Sequence, residues 1–189
     1  MFKLAVLASG QGSNLQALID QVHAPGEAEV VAVLSDNPKA PALERARKAG
    51  IPAQAVAPTA GEGREAFHQR LAAVLDPYQP QLLVLAGYMR ILPESFLEHF
   101  PAIINVHPSL LPAFPGLDAP RQAIEYGVKV SGCTVHQVDA GMDTGPILLQ
   151  AAVPVFTDDT PETLHQRIKP WEHKLLAEAV LMWRDQRWK

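Results

Sequence analysis

Apolar residues along the chain fall into short unbroken runs separated by amphipathic stretches. Lys3–Ala8, Glu29–Ser35 and Gln81–Ala86 are such runs, each closed by Ser, Gly or Asp and too short for a buried helix. Strands covered on both faces have this character. Ala53–Val56 and Ile103–Val106 are shorter members of the same set. Between the runs the spacing becomes that of one helical face. Leu15, Leu18, Ile19 and Val22 line up behind Ser13, and Ser13 with Gln16 has the pattern of a capping box. Pro41–Ala49 predicts a helix with Gly50 just past its end. Arg64–Leu75, with Phe67, Leu71, Val74 and Leu75 on one side, and Pro93–His99 predict two more. Strands alternating with helices imply an α/β protein, a Rossmann-like, doubly wound, mostly parallel sheet with helices on both faces. The pattern changes after Gly116. Arg121–Tyr126 predicts a short helix, and Ser131–Val138 with Ile147–Val155 a late antiparallel or mixed extension. Thr163–Arg184 predicts a long helix broken at Pro170. With no repeat or linker, residues 1–189 are expected to form one domain.

Composition adds exclusions. The net charge of −4 argues against nucleic acid as a partner, while leaving room for a small anionic ligand at a local site. Cys133 is the single cysteine, so no internal disulfide can form. The apolar stretch in MFKLAVLASG is too short for a secretory segment or a membrane span. A cytoplasmic protein with no membrane partner is the simplest expectation.

Four motifs carry candidate chemistry. In ASGQGSN, Ala8–Asn14, two glycines lead from a strand into a helix. Such a turn either cradles a phosphate on unpaired N–H groups or is a plain tight turn with a cap. The third glycine of a dinucleotide fingerprint is missing, because Leu15 stands there. In GYMRIL, Gly87–Leu92, apolar side chains after a strand either meet a flat apolar ligand or belong to the core. In INVHPSLLPAFPG, Asn105 and His107 stand two apart on a strand and so share a side. They sit at a strand's carboxyl end, where open α/β sheets bind ligands, and could hold a developing oxyanion. DAGMDTGPI, Asp139–Ile147, reads as a surface turn when taken alone. Metal binding is not expected, since the histidines and the cysteine lack ligand spacing. His23, His68, His99 and His165 are expected to be solvated.

Together these segments resemble the folate-dependent formyltransferases. The resemblance rests on SGQGSNLQALID, LERARKAGI, REAF, LLVLAGYMRIL, INVHPSLLPAFPG, GCTVHQVDAGMDTGPILLQ and WEH, which cover nearly the whole chain. It implies formyl transfer from 10-formyltetrahydrofolate, without a metal, to the amine of glycinamide ribonucleotide in purine biosynthesis. It implies catalytic roles for Asn105, His107 and Asp143, and phosphate binding by Gly12, Ser13 and Asn14. Glu172 falls on a ribose-holding position. Arg64, Met89, Arg90, Ile91, Leu92, Asp139, Ala140, Gly141 and Met142 fall on folate-binding positions. Asp118-Ala119-Pro120 departs from the family, many members of which carry a histidine-containing segment there. The rival functions are a formyltetrahydrofolate hydrolase, transfer to methionyl-tRNA, which would need an RNA-binding region, and a non-catalytic nucleotide-binding module. A monomer or a homodimer fits equally.

Overall fold

The structure, a computed structural model, describes residues 1–100 and 102–188. Its centre is a seven-stranded sheet in the order β3-β2-β1-β4-β5-β6-β7. The strands are β1 (Lys3–Leu7), β2 (Glu29–Ser35), β3 (Ala53–Ala55), β4 (Leu82–Leu85), β5 (Ile103–His107), β6 (Val130–Gln137) and β7 (Ile147–Pro154). Flanking helices are α1 (Ser13–Leu18), α2 (Pro41–Lys48), α3 (Arg64–Leu75), α4 (Glu94–His99), α5 (Ala119–Tyr126) and α6 (Pro161–Arg184). β1 runs parallel to β2 and β4, and β2 to β3, while β6 and β7 are antiparallel. The mixed sheet with its late antiparallel pair is the one the patterning predicts. The chain divides into two compact units, Met1–Ile104 and Asn105–Lys189.

In the first unit the apolar runs are strands because both of their faces are covered. Leu4 to Ala8 and Val30 to Leu34 are all buried. Each valine or leucine among them, withdrawn from water, contributes roughly 1.5–3 kcal/mol. At the carboxyl ends, Ala8 N–H donates to Leu34 O at 3.0 Å and Ser9 N–H to Gly87 O at 3.1 Å. The capping-box expectation at Ser13 is corrected. Gly12 is the N-cap, at φ 73, and no side chain caps the helix. The chain needs a left-handed residue to turn into α1, and glycine takes that conformation without a Cβ penalty. α1 then continues as a π-helical turn, Ile19–His23. Gly50 closes α2 as expected, at φ 73, with its N–H on Arg47 O.

His68 is also corrected, since it is 1% exposed rather than solvated. Nδ1 lies 2.8 Å from the Arg64 carbonyl, so it carries the hydrogen. Rings of Phe67 and Phe96 stand edge-on to it. Burial, the largest influence, lowers its pKa below 6.5. The unfolded chain therefore binds a proton there before the folded one does. His68 contributes stability that is present above the unfolded value and lost as pH falls. Unfolding in urea is expected to become easier between about pH 7.5 and 5.5, with a slope of at most about 1.4 kcal/mol per pH unit from this group. His68→Gln should flatten that dependence, and an unchanged slope would refute the assignment.

The second unit holds a hairpin and the long helix. β6 and β7 pair from Val130↔Pro154 to Val135↔Leu149, and then His136 pairs with Ile147. Leu148 is thus an extra residue on β7, a bulge. α6 starts earlier than the periodicity predicts. Thr160 and Thr163 form a reciprocal capping box, and Pro161 fills the first turn, where its missing N–H costs nothing. The predicted break at Pro170 does not occur, and the helix runs through to Arg184. Proline there removes one backbone bond, but Leu164, Ile168, Leu175, Leu176 and Val180 are buried on either side of it. Cys133 on β6 is fully buried, which pushes its thiol up to about 12, with the charge of Glu172 adding to the effect.

Candidate active site

Asn105 and His107 leave β5 on one side, with Val106 buried between them. Pro108 has no N–H and closes the ladder. The irregular segment beyond it is tied down from the hairpin. The Thr134 hydroxyl donates to Ser109 O at 2.7 Å and accepts from Leu111 N–H at 3.0 Å. The Gln150 amide donates to Leu111 O and to the Thr134 hydroxyl oxygen, both at 2.9 Å. The Ser109 hydroxyl donates to Ala113 O at 2.5 Å. These bonds fix the Phe114 carbonyl, which lies 2.8 Å from His107 Nε2. A carbonyl only accepts, so Nε2 carries a hydrogen and Nδ1 is the nitrogen left to act. His107 Nδ1 faces Asp143 Oδ2 at 3.5 Å.

Asp143 comes from the loop between β6 and β7, at φ 56. Aspartate tolerates that left-handed conformation better than most residues. Its Oδ2 accepts the Gly116 N–H at 2.7 Å, which aims the carboxylate. The loop closes on itself, because Asp139 Oδ1 accepts from Gly141 N–H at 3.0 Å and from the Thr144 hydroxyl at 2.7 Å. A Cβ at Gly145 would stand 1.9 Å from Gln137 O, so only glycine fits there.

His136 completes the group. Its Nδ1 lies 2.8 Å from Gln137 O and so carries the hydrogen, while Nε2 accepts from Asn105 Nδ2 at 3.1 Å. Burial lowers the His136 pKa, and the opposing pulls of the Gln137 bond and the Asp143 charge are smaller. The ring is neutral at pH 7, so its 3.6 Å approach to Asp143 Oδ1 is not an ion pair. The neutral ring sets the Asn105 amide with one hydrogen committed and the other aimed elsewhere. Glu172 on α6 is 4% exposed, and its carboxylate lies 3.6 Å from His165 Nε2.

In the first unit the Ala8–Asn14 loop follows β1. A Cβ at Gly12 would lie 2.8 Å from Ala42 Cα, so α2 packs where only glycine leaves room. The Asn14 Oδ1 is buried without a hydrogen-bond partner among the described residues. The Ser9 hydroxyl oxygen accepts Met89 N–H at 3.0 Å, which joins this loop to the segment after β4. There Met89 and Ile91 are 67% and 52% exposed, whereas Leu92 is core. Arg90 Nε donates to Asp36 Oδ2 at 2.7 Å, with its guanidinium 5.0 Å from the Phe67 ring centre. The Arg64 side chain is exposed at the start of α3.

Within the second unit the structure brings together Asn105, His107 and Asp143, and adds His136. Sequence reasoning missed His136, although a signal was present. Thr134-x-His136 on β6 repeats the polar alternation of Asn105-x-His107 on β5. Among the described residues no group of three or more His, Cys, Asp or Glu is arranged to hold a metal ion. No described helix is long and apolar enough to cross a membrane.

An amide hydrogen, an imidazole and an anchored carboxylate around one point can hold negative charge on a carbonyl-type oxygen and accept a proton. On a Rossmann-like sheet, such a grouping suits chemistry at a carbonyl-type carbon. Residues 2–180 match the model of the formyl transferase family, and the chain belongs to that family. It is similar to the phosphoribosylglycinamide formyltransferase of Bacillus subtilis (strain 168), at 46% identity over 182 residues, covering 95% of this chain and 93% of the relative. It is also similar to the trifunctional purine biosynthetic protein adenosine-3 of Drosophila melanogaster, at 45% identity over 184 residues, or 95% of this chain and 14% of that protein. Among solved structures, glycinamide ribonucleotide transformylase 1 from Symbiobacterium toebii superposes with a TM-score of 0.96 at 50% identity, covering 99% of this chain and 89% of that one.

Proposed function

We propose that the chain transfers the formyl group of 10-formyltetrahydrofolate to the amine of glycinamide ribonucleotide, a step of purine biosynthesis. The observation that carries this reading is the grouping of Asn105, His107, His136 and Asp143 in a member of the formyl transferase family. The amine attacks the formyl carbon, a C–N bond forms, and the carbonyl electrons move to oxygen. The free amide hydrogen of Asn105 donates to that oxyanion, and so does His107 Nδ1 when the ring carries a second proton besides the one on Nε2. Each such donor is typically worth about 3–4 kcal/mol at the transition state. The attacking amine becomes acidic as its nitrogen turns positive. Asp143 takes that proton, directly or through a water. The intermediate then collapses, the old C–N bond to the folate breaks, and the proton passes to the leaving nitrogen.

Binding follows the same reading. Gly12, Ser13 and Asn14 hold the phosphate and Glu172 the ribose. The folate lies against Arg64, Met89, Arg90, Ile91, Leu92 and the Asp139–Asp143 loop. The exposure of Met89 and Ile91 supports this, because two large apolar side chains in water are a contact surface waiting for a flat ring. Ile91→Glu is expected to weaken a folate analogue at least tenfold in an equilibrium titration without lowering Tm. Normal binding would remove that surface from the site. The reaction needs no metal, nucleic acid or membrane. It takes place in the cytoplasm, on one domain spanning residues 1–189, as a monomer or a homodimer.

The test is to follow folate absorbance with 10-formyltetrahydrofolate, with and without glycinamide ribonucleotide. Turnover is expected only with both present. Deformylation without the acceptor would make the protein a hydrolase. No turnover, with the nucleotide still bound, would make it a binding module.

A further inference from the structure

Helix α2 does more than fill space beside the Ala8–Asn14 loop. Asn37 Nδ2 donates to Ser9 O at 3.4 Å, Ala42 N–H to Gly10 O at 3.2 Å, and Arg45 Nε to Gln11 O at 2.8 Å. Three successive carbonyls are therefore held from one stretch, residues 37–45. In a trans peptide the carbonyl and the following N–H point in opposite directions within one plane. Holding those carbonyls turns the N–H groups of Gly10, Gln11 and Gly12 away from the donors, as a row of parallel dipoles. That is how a backbone nest for an anion is made.

Arg45 differs from the other two donors because it is charged. Its second bond, Nη1 to Gln16 Oε1 at 3.2 Å, also goes to a neutral acceptor, and Gln16 passes on to Asp20 at 2.9 Å. Among the described residues no carboxylate forms an ion pair with Arg45. A guanidinium held by neutral acceptors keeps its positive charge, since it cannot give up its proton. Here the charge is uncancelled, and the stem is pressed against Gly12, where a Cβ would lie 3.3 Å from Arg45 Cδ.

We infer that Arg45 is a positioning residue of the phosphate loop, fixing the Gln11–Gly12 peptide plane and adding positive potential that the nucleotide's phosphate meets. The inference rests on the placement of that phosphate at Gly12–Asn14. Arg45→Met keeps the apolar stem and removes the guanidinium. It is expected to raise the KM for glycinamide ribonucleotide, and the inhibition constant of inorganic phosphate, by about tenfold, since hydrogen bonds from charged donors are worth about that factor. Saturated kcat, the Kd of a folate analogue and Tm should stay near the parent values. Arg45→Lys should recover part of the loss, and added salt should narrow the gap between parent and Arg45→Met. Arg45→Gln, neutral but still a donor, is the second variant should Arg45→Met not fold, and its KM should rise too. Ser13→Asp, measured alongside, separates the two ideas. A raised KM in Ser13→Asp with unchanged KM in the Arg45 variants overturns the role of Arg45 and leaves the loop assignment standing. Unchanged KM in all of them overturns both. An equal loss of folate affinity in Arg45→Met would show a general disturbance and also overturns the proposal.

Discussion

Asp143→Asn is expected to lower kcat by about a hundredfold or more while the protein folds normally and binds both ligands. The substitution keeps the size of the side chain and its local anchors. An amide oxygen can still accept the Gly116 N–H, which now reaches Asp143 Oδ2 at 2.7 Å. Asparagine is also among the residues that adopt a φ of 56 with little strain. The neighbouring His136 is already neutral and loses no ion pair. What disappears is the proposed acceptor for the amine's proton and the negative charge 3.5 Å from His107 Nδ1. Both losses fall on the same step. The checks are kcat and an equilibrium Kd for each ligand. Near-parent kcat in a folded Asp143→Asn protein would end the mechanism.

Ser13→Asp should raise the nucleotide KM by about a hundredfold and leave folate binding intact. Ser13 is the first residue of α1, whose first turn carries no acid. A carboxylate there is favourable to the helix by about 0.3–1 kcal/mol, so the variant should be at least as stable as the parent. The same carboxylate would stand where we propose that the phosphate binds. Two like charges about 4 Å apart repel by about 4 kcal/mol near a protein surface. Stability and affinity are thus expected to move in opposite directions, which unfolding cannot imitate. An unchanged nucleotide KM would take the phosphate away from this loop.

The sheet was legible because its chemistry is local. Runs such as LAVLA and VVAVL are apolar at every position only if both faces are covered, so they declare themselves. The Asn105–His107 pair was legible for the same reason, since strand alternation fixes the side each residue takes. Illegible features depend on partners far along the chain. His136 lies 31 residues from Asn105, and nothing near it in sequence says that its ring is neutral and turned toward an amide. Arg45 lies 34 residues from Gln11 and reads as one of several basic residues on an amphipathic helix. Pro170 reads as a helix breaker because local propensity cannot weigh the apolar face buried around it. His68 reads as a surface histidine because α3 alone does not reveal the phenylalanine of α4 above it.

The extra residue at Leu148 makes the site a matter of counting. His136 sits on one arm of the hairpin, Asp143 in its loop, and Gln150 beyond the bulge on the other arm. Removing Leu148 would let the arms pair evenly, but every residue on the loop side of it would change faces, and the loop would be drawn along by one position. The carboxylate would then leave Gly116 and His107. Residues 137–148 should therefore tolerate no change of length, and changes of side chain only away from Asp139, Gly141, Asp143, Thr144 and Gly145. A scan of single-residue deletions and insertions should abolish activity at every position of this stretch, while the exposed turn at Gly26 accepts both.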